Sequence, residues 1–204
     1  MRRKIVFKAL VPIAALALAA PVAAAPLDAV AATLRATKTM TADFVQTAGD
    51  GKVARGKMLL ARPGKIRFEY DKSKLLIIAD GTRLSMIDYS VGQVSQWPVG
   101  STPLAALLDP DKDLARVAKI VEDTPELVRV EARDSKHPEY GSIVMVFFKR
   151  PEAPGGLALG GWTAHDAQNN LTQVVLSNVR SNVAVGSANF VFRDPRLKTP
   201  GRPL

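Results

Sequence analysis

The chain predicts a mainly β protein with a little α: about ten strands in hairpin order, one helix ahead of them and a short helical insertion in their midst. Three observations carry this. Apolar and charged residues alternate with period two, most cleanly at residues 65–70, where Ile66, Phe68 and Tyr70 share one face and Lys65, Arg67 and Glu69 the other. That is the pattern of an antiparallel strand buried on one side. Turn dipeptides, Asp50-Gly51, Asp80-Gly81 and Asn169-Asn170, separate the alternating runs. Helical spacing is confined to two stretches. An antiparallel sheet of this size must curl or close, and the helices are too short to cover it from outside; they suit a plug or lid on its concave face.

The elements follow in order. Arg2, Arg3, Lys4 and Lys8 precede or interrupt an apolar run that ends in Pro21-Val22-Ala23-Ala24. A basic start, a short apolar middle and small residues at the end make a secretory signal peptide, 1–24. Its unbroken apolar stretch, residues 9–20, is shorter than the roughly 20 residues that span a bilayer. Val22 and Ala24 as the small residues favour a cut after Ala24; a cut after Ala25, which would put Pro26 immediately beyond it, is the alternative. Residues 27–38 predict a helix, because Leu27, Val30, Ala31 and Leu34 fall on one face with Asp28 in the first turn. Strands follow at 43–47 and 53–61, joined by Asp50-Gly51 as a type I′ turn, then at 65–70, 75–79, 83–89 and 93–99.

Residues 100–124 change period. Thr102-Pro103 reads as a helix cap with proline at the first helical position. Leu104, Leu107 and Leu108 form one apolar stripe; Leu114, Val117 and Val121, after Asp113, predict a second short helix. Strands resume at 127–132, 142–148, 157–164 and 171–179, and 188–192 is a last short strand or tight turn. One domain, 25–192, results, followed by a loose, basic, proline-rich tail, 193–204.

Charge and composition narrow the function. Four of the 28 basic residues lie in the signal peptide, leaving 24 against 19 acidic, a mature net charge of +5. The excess is spread along the chain with no polybasic block, which disfavours nucleic acid as a partner and suits either a solvated surface or weak attraction to anionic lipid. There is no cysteine, so thiol catalysis, disulfides and a lipid-bearing N-terminal cysteine are excluded. The two histidines, His137 beside Pro138 and His165 beside Asp166, sit in polar loops, and no G-x-S-x-G elbow, H-E-x-x-H pair or phosphate-cradling glycine loop occurs. No metal site, cofactor site or catalytic set is expected, and the chain reads as a binding protein and not an enzyme, with an exported hydrolase as the rival.

What remains is an apolar face. Met58 and Leu60, then Ile66, Phe68 and Tyr70, then Leu76 and Ile78, then Leu84 and Met86 recur at alternate positions of successive strands. Such a face either packs a core or holds an apolar ligand. Arg62 ends it, directly before Pro63. A charge there is costly unless partnered or exposed at a rim.

The run from Thr41 to Thr47 (Thr-Ala-Asp-Phe-Val-Gln-Thr), the run from Gly56 to Tyr70 (Gly-Lys-Met-Leu-Leu-Ala-Arg-Pro-Gly-Lys-Ile-Arg-Phe-Glu-Tyr) and Ile78-Ala79-Asp80-Gly81 resemble the outer-membrane lipoprotein carrier protein LolA family. The resemblance continues through Gln93 and Thr102-Pro103 to about Phe192. It implies an incomplete antiparallel barrel with an open, apolar concave face lidded by helices. It also implies a monomeric periplasmic chaperone whose partners are acylated lipoproteins as cargo, an inner-membrane lipoprotein-releasing ABC transporter and an outer-membrane acceptor. A different lipid-binding or lipid-sensing protein of the same fold is the alternative. The family's arginine before proline falls on Arg62 and, by the resemblance, holds the lid shut through hydrogen bonds to the segment carrying Leu104, Leu107 and Leu108. The family often carries aromatic residues where this chain has Ile66 and Met86, and the tail from Arg193 has no counterpart.

Overall fold

A computed structural model describes residues 26–109, 114–166 and 168–196. The signal peptide and the end of the tail lie outside the described residues. Helix α1 (Pro26–Ala36) leads into β1 (Thr39–Ala48), β2 (Val53–Ala61), β3 (Lys65–Tyr70), β4 (Leu75–Asp80), β5 (Arg83–Asp88) and β6 (Gln93–Pro98). A 3₁₀ turn (Val99–Ser101) and the short helices α2 (Ala105–Leu108) and α3 (Leu114–Val117) come next. They are followed by β7 (Ala118–Asp123), β8 (Leu127–Arg133), β9 (Ser142–Lys149), β10 (Leu157–His165) and β11 (Leu171–Ser181).

All eleven strands form one sheet in the order β6-β5-β4-β3-β2-β1-β11-β10-β9-β8-β7. Every pair is antiparallel. Two meanders therefore meet along β1 and β11 at the centre of the sheet, and β6 and β7 are free edges; the barrel stays open. The chain leaves the first meander at one edge and enters the second at the other. The connection carries α2 and α3, and their Leu107, Leu108 and Leu114 are buried with Met58, Leu60 and Ile66 of the concave face, so these helices form a lid on it.

The core lies between the concave face, α1 and the lid. Val30 and Leu34 of α1, Phe44, Met58, Leu60 and Ile66 of the first meander, Val130, Met145 and Phe147 of the second, and Leu107, Leu108 and Leu114 of the lid belong to one buried cluster. Gly56 is needed where the Phe44 ring crosses β2: a Cβ there would sit 2.9 Å from the ring and 1.8 Å from the Glu69 carbonyl oxygen.

Three expectations change. The strand count is eleven, because residues 118–123 form β7 where a helix was expected through Val121. Leu114, Val117 and Val121 do have helical spacing, but pairing with β8 wins: Ile120 lies opposite Val130, and Lys119 Nζ is 2.9 Å from Glu131 Oε2. Thr102 does not cap the lid helix. Its hydroxyl donates back to the Val99 carbonyl at 2.8 Å, and the helix starts two residues after Pro103, at Ala105. The Asp50-Gly51 turn is not type I′. Gly49 and Asp50 are its central residues, Gly51 alone of the three has positive φ, +82°, and the Gly51 N–H donates to Ala48 at 2.9 Å.

Candidate ligand cavity

Register sets which side chains share the concave face. Opposite residues of an antiparallel pair point the same way, so Met40, Leu60, Ile66, Ala79 and Leu84 form one row, and Ala42, Met58, Phe68, Ile77 and Met86 the next. Across the central seam Phe44 lies opposite Leu176, and Gln46 opposite Val174, which faces Trp162 of β10. A bulge between Leu159 and Gly161, with Gly161 at φ +149°, shifts β10 against β9 and turns Trp162 onto this face.

The two ends of the face differ. At one end the lid is latched. The Arg62 guanidinium donates from Nε to the Thr37 carbonyl, just beyond α1, at 2.9 Å, and from Nη1 to the Leu107 carbonyl of α2. Beside it the Gly64 N–H donates to the Leu108 carbonyl at 3.1 Å. The carbonyls that end a helix have no partner within it, and here the β2–β3 turn supplies donors to two of them. Under this latch Met58, Leu60, Ile66, Leu107 and Leu108 have 0 % exposure.

At the other end a cavity of about 420 Å³ opens, within the 300–1,000 Å³ typical of small-molecule sites. Phe68, Tyr70, Ile77, Leu84 and Trp97 form one side, Trp162, Ala164 and Val174 the other, and Thr102, Pro103 and Leu104 of the lid segment the roof. Phe44 stands edge-on to Phe68 (5.3 Å between centroids) and to Tyr70 (5.2 Å), and Phe68 meets Trp162 at 6.0 Å. These contacts fix the floor as a rigid aromatic surface. Polar groups gather at one side of the mouth: Gln46, Glu139, Tyr140, Asp166 and Asn170. The Tyr70 hydroxyl donates to Gln46 Oε1 at 2.8 Å, and burial pushes its pKa up to about 12, the Gln46 bond opposing weakly. It stays a neutral donor at any physiological pH. Burial raises the Asp166 pKa, but the Asn170 side chain and the Asn170 and Gln168 N–H groups outweigh it and hold the carboxyl below its usual range. The cavity is thus an apolar trough with one polar lip. It offers burial to hydrocarbon and hydrogen bonds to whatever hydrocarbon is attached to.

The model of the outer membrane lipoprotein carrier protein LolA family matches residues 35–193. The chain belongs to this family. An outer-membrane lipoprotein carrier protein from Chromobacterium violaceum is 33% identical over 88% of this chain and 88% of its own length. One from Methylobacillus flagellatus is 26% identical over 83% and 85%. A solved DUF1329 family protein from Desulfovibrio piger shares the fold, with a TM-score of 0.52 at 11% identity over 81% of this chain and 95% of that one.

On this LolA fold the expected site residues separate into four groups. Phe68, Tyr70, Leu84 and Leu104 line the cavity. Met58, Leu60, Ile66, Leu107 and Leu108 share the concave side but are sealed at the latched end, so they are core. Met86 is on the concave face beyond the cavity, 36 % exposed. Leu76 and Ile78 are not on this face at all. They lie opposite Glu69 and Arg67, so they point to the convex side. The four-residue β3–β4 loop, 71–74, pairs even positions of β3 with odd positions of β4, and the concave residues of β4 are Ile77 and Ala79. Leu76 and Ile78 are buried with Ile87 under a C-terminal strap, where Phe190 packs on them and the Asn189 and Val191 carbonyls accept from Arg67 Nη1 at 3.0 and 3.4 Å. The expected strand or turn at 188–192 is this strap, a 3₁₀ turn at Ser187–Phe190.

Sequence reasoning missed Trp97 and Trp162. They are the chain's only tryptophans, and that both line one cavity is a signal the composition carried. Among the described residues no group of His, Asp and Glu is placed to hold a metal ion, and no helix is long and apolar enough to cross a membrane. His137 pairs with Glu139 at 3.0 Å, and His165 Nδ1 is buried without a hydrogen-bond partner among the described residues.

Proposed function

We propose that this chain is a periplasmic carrier of lipoproteins, exported by the signal peptide at 1–24 and folded as one domain over 25–192. It takes acylated lipoproteins released by an inner-membrane ABC transporter, shields their acyl chains in transit and passes them to an outer-membrane acceptor. It works as a monomer and without a cofactor, and it makes and breaks no covalent bond. The observation that carries the reading is an aromatic-floored cavity of about 420 Å³ roofed by a lid that Arg62 latches. Family membership and relatives named outer-membrane lipoprotein carrier protein support it.

The energetics fit transport. Each acyl methylene that leaves water contributes about 0.8 kcal/mol. A few methylenes hold the cargo, and many would trap it unless something competes for the cavity. The lid is that competitor: Leu104 roofs the empty cavity while Leu107 and Leu108, next in the chain, anchor the roof. Cargo binding lifts the lid, and lid closure favours release to an acceptor. The test is intact-mass analysis of protein complexes purified from the periplasm through a tag on this chain. Co-purified proteins whose masses include an acylated N-terminal cysteine are the expected result. Fatty acid or phospholipid alone would overturn the lipoprotein assignment in favour of a different lipid carrier.

A further inference from the structure

A second cavity, of about 460 Å³, adjoins the first. The two share one wall, made of Thr102 and Pro103 from the lid segment and Tyr140 from the β8–β9 loop. Their chemistry differs. The first has an aromatic and aliphatic floor. The second is walled by small residues that leave backbone accessible, among them Gly64, Gly100, Ala105 and Ala106, and by charges of both signs. Arg116 and Asp134 meet there through two contacts of 3.2 Å, with Asp109 and Arg133 on the same lining. The Arg116 and Asp134 side chains keep 46% and 19% of their exposure, so both are hydrated. Hydrocarbon in this cavity would strip that water and return nothing. A peptide brings its own amide donors and acceptors.

The shared wall is built to hold a junction between the two chemistries. The Tyr140 ring lies face to face on His137, centroids 4.7 Å apart and planes at 9°, and Glu139 holds His137. The Tyr140 hydroxyl makes no hydrogen bond among the described residues. Its ring is therefore fixed while its donor is free.

Resting on the carrier reading, we propose that an acylated ligand straddles this wall. Its acyl chains occupy the first cavity and the peptide that follows the acylated residue runs into the second, with the Tyr140 hydroxyl donating to a carbonyl at the junction. The second cavity is then a peptide site, and the lid segment is a saddle between two compartments.

Two probes separate the compartments: palmitate, which has no peptide, and a tripalmitoylated cysteinyl peptide with a short polar extension. Binding is read from the fluorescence of Trp97 and Trp162, both in the first cavity. Two variants address the second cavity. Gly100 is on the lining of the second cavity, and a Cβ there meets no heavy atom within 4 Å, so Gly100→Phe adds bulk at the cavity wall without a clash at its attachment point. Tyr140→Phe keeps the stacked ring and removes one hydrogen bond, expected to cost about 2- to 12-fold in affinity. Gly100→Phe is expected to weaken the acylated peptide and leave palmitate unchanged, and Tyr140→Phe, whose ring also borders the first cavity, to weaken the acylated peptide more than palmitate. Unchanged peptide binding in both variants, or equal losses for the two probes, would overturn the peptide site while leaving the carrier reading in place. A wild-type protein that binds neither probe would remove the carrier reading and this inference together.

Discussion

At the Arg62 end of the concave face, Met58, Leu60 and Ile66 have no exposure. At the Tyr70 end, two residues further along the same β3 strand, Phe68 and Tyr70 border a cavity of about 420 Å³. The strands are continuous and the side chains equally apolar, so hydrophobicity does not distinguish site from core. The cover does. Leu107 and Leu108 press onto the first end, and their carbonyls are tied down by Arg62 and Gly64. Thr102 and Pro103, ahead of the helix, roof the second end without filling it. One lid makes a core at its anchored end and a site at its other end, so the two can be broken separately.

The largest expected effect is at the sealed end. Leu60→Gln puts an amide where neither water nor a partner reaches it and removes the packing of a buried leucine. The two costs together come to about 3–5 kcal/mol, a fall in melting temperature of roughly 6–20 °C for a chain this size. Thermal unfolding followed by circular dichroism reads it. A near-normal melting temperature would mean that this end opens readily and belongs to the ligand site.

Arg62→Leu attacks the cover and leaves the face alone. It removes the guanidinium hydrogen bonds to the Thr37 and Leu107 carbonyls, and charge-assisted bonds of this kind are worth about 1.5–3 kcal/mol each. The apolar face under the lid is intact, so acylated cargo still binds. What is lost is the closed lid that competes with cargo. The variant is expected to accept lipoprotein and to pass it on slowly to an outer-membrane acceptor, measured as transfer between purified components. Transfer at the wild-type rate would show that the latch does not drive release.

Much of this comparison was legible in the chain. Period-two alternation at Ile66, Phe68 and Tyr70 identified the concave face of β3, and a lone arginine ending an apolar face called for a partner or an exposed rim; its guanidinium meets the Thr37 and Leu107 carbonyls. Three things were not legible, each for a physical reason. Alternation within β4 has two possible phases, and both contain aliphatic residues: Leu75 and Ile77, or Leu76 and Ile78. The loop register chooses between them, and the second pair is apolar because the C-terminal strap covers it, a contact between residues more than 100 positions apart. Trp162 reaches the cavity through a bulge, which local patterning does not show. The division of the concave face into core and cavity depends on where the lid lies, which no strand records.

The smallest expected effect on stability, and the sharpest on function, is at Met86. It lies opposite Ile77 in the concave row that contains Phe68, on β5, next to the edge strand β6, and is 36 % exposed. Glutamine there faces water in the empty protein, so its amide is solvated and the packing it gives up is slight. Surface changes of this kind stay within about 0.5 kcal/mol. A cargo too large for the cavity alone would extend along this row toward β5 and bury the position. Met86→Gln then loses the burial of a methionine side chain, which is worth about 1.5–3 kcal/mol in full, and a partial share of that weakens lipoprotein binding several-fold. The expected result is therefore a normal melting curve with reduced affinity, the reverse of Leu60→Gln. Unchanged affinity would confine the acyl chains to the roofed cavity and end the site at Leu84, whereas an unfolded variant would place Met86 in the core and erase the distinction between the two ends.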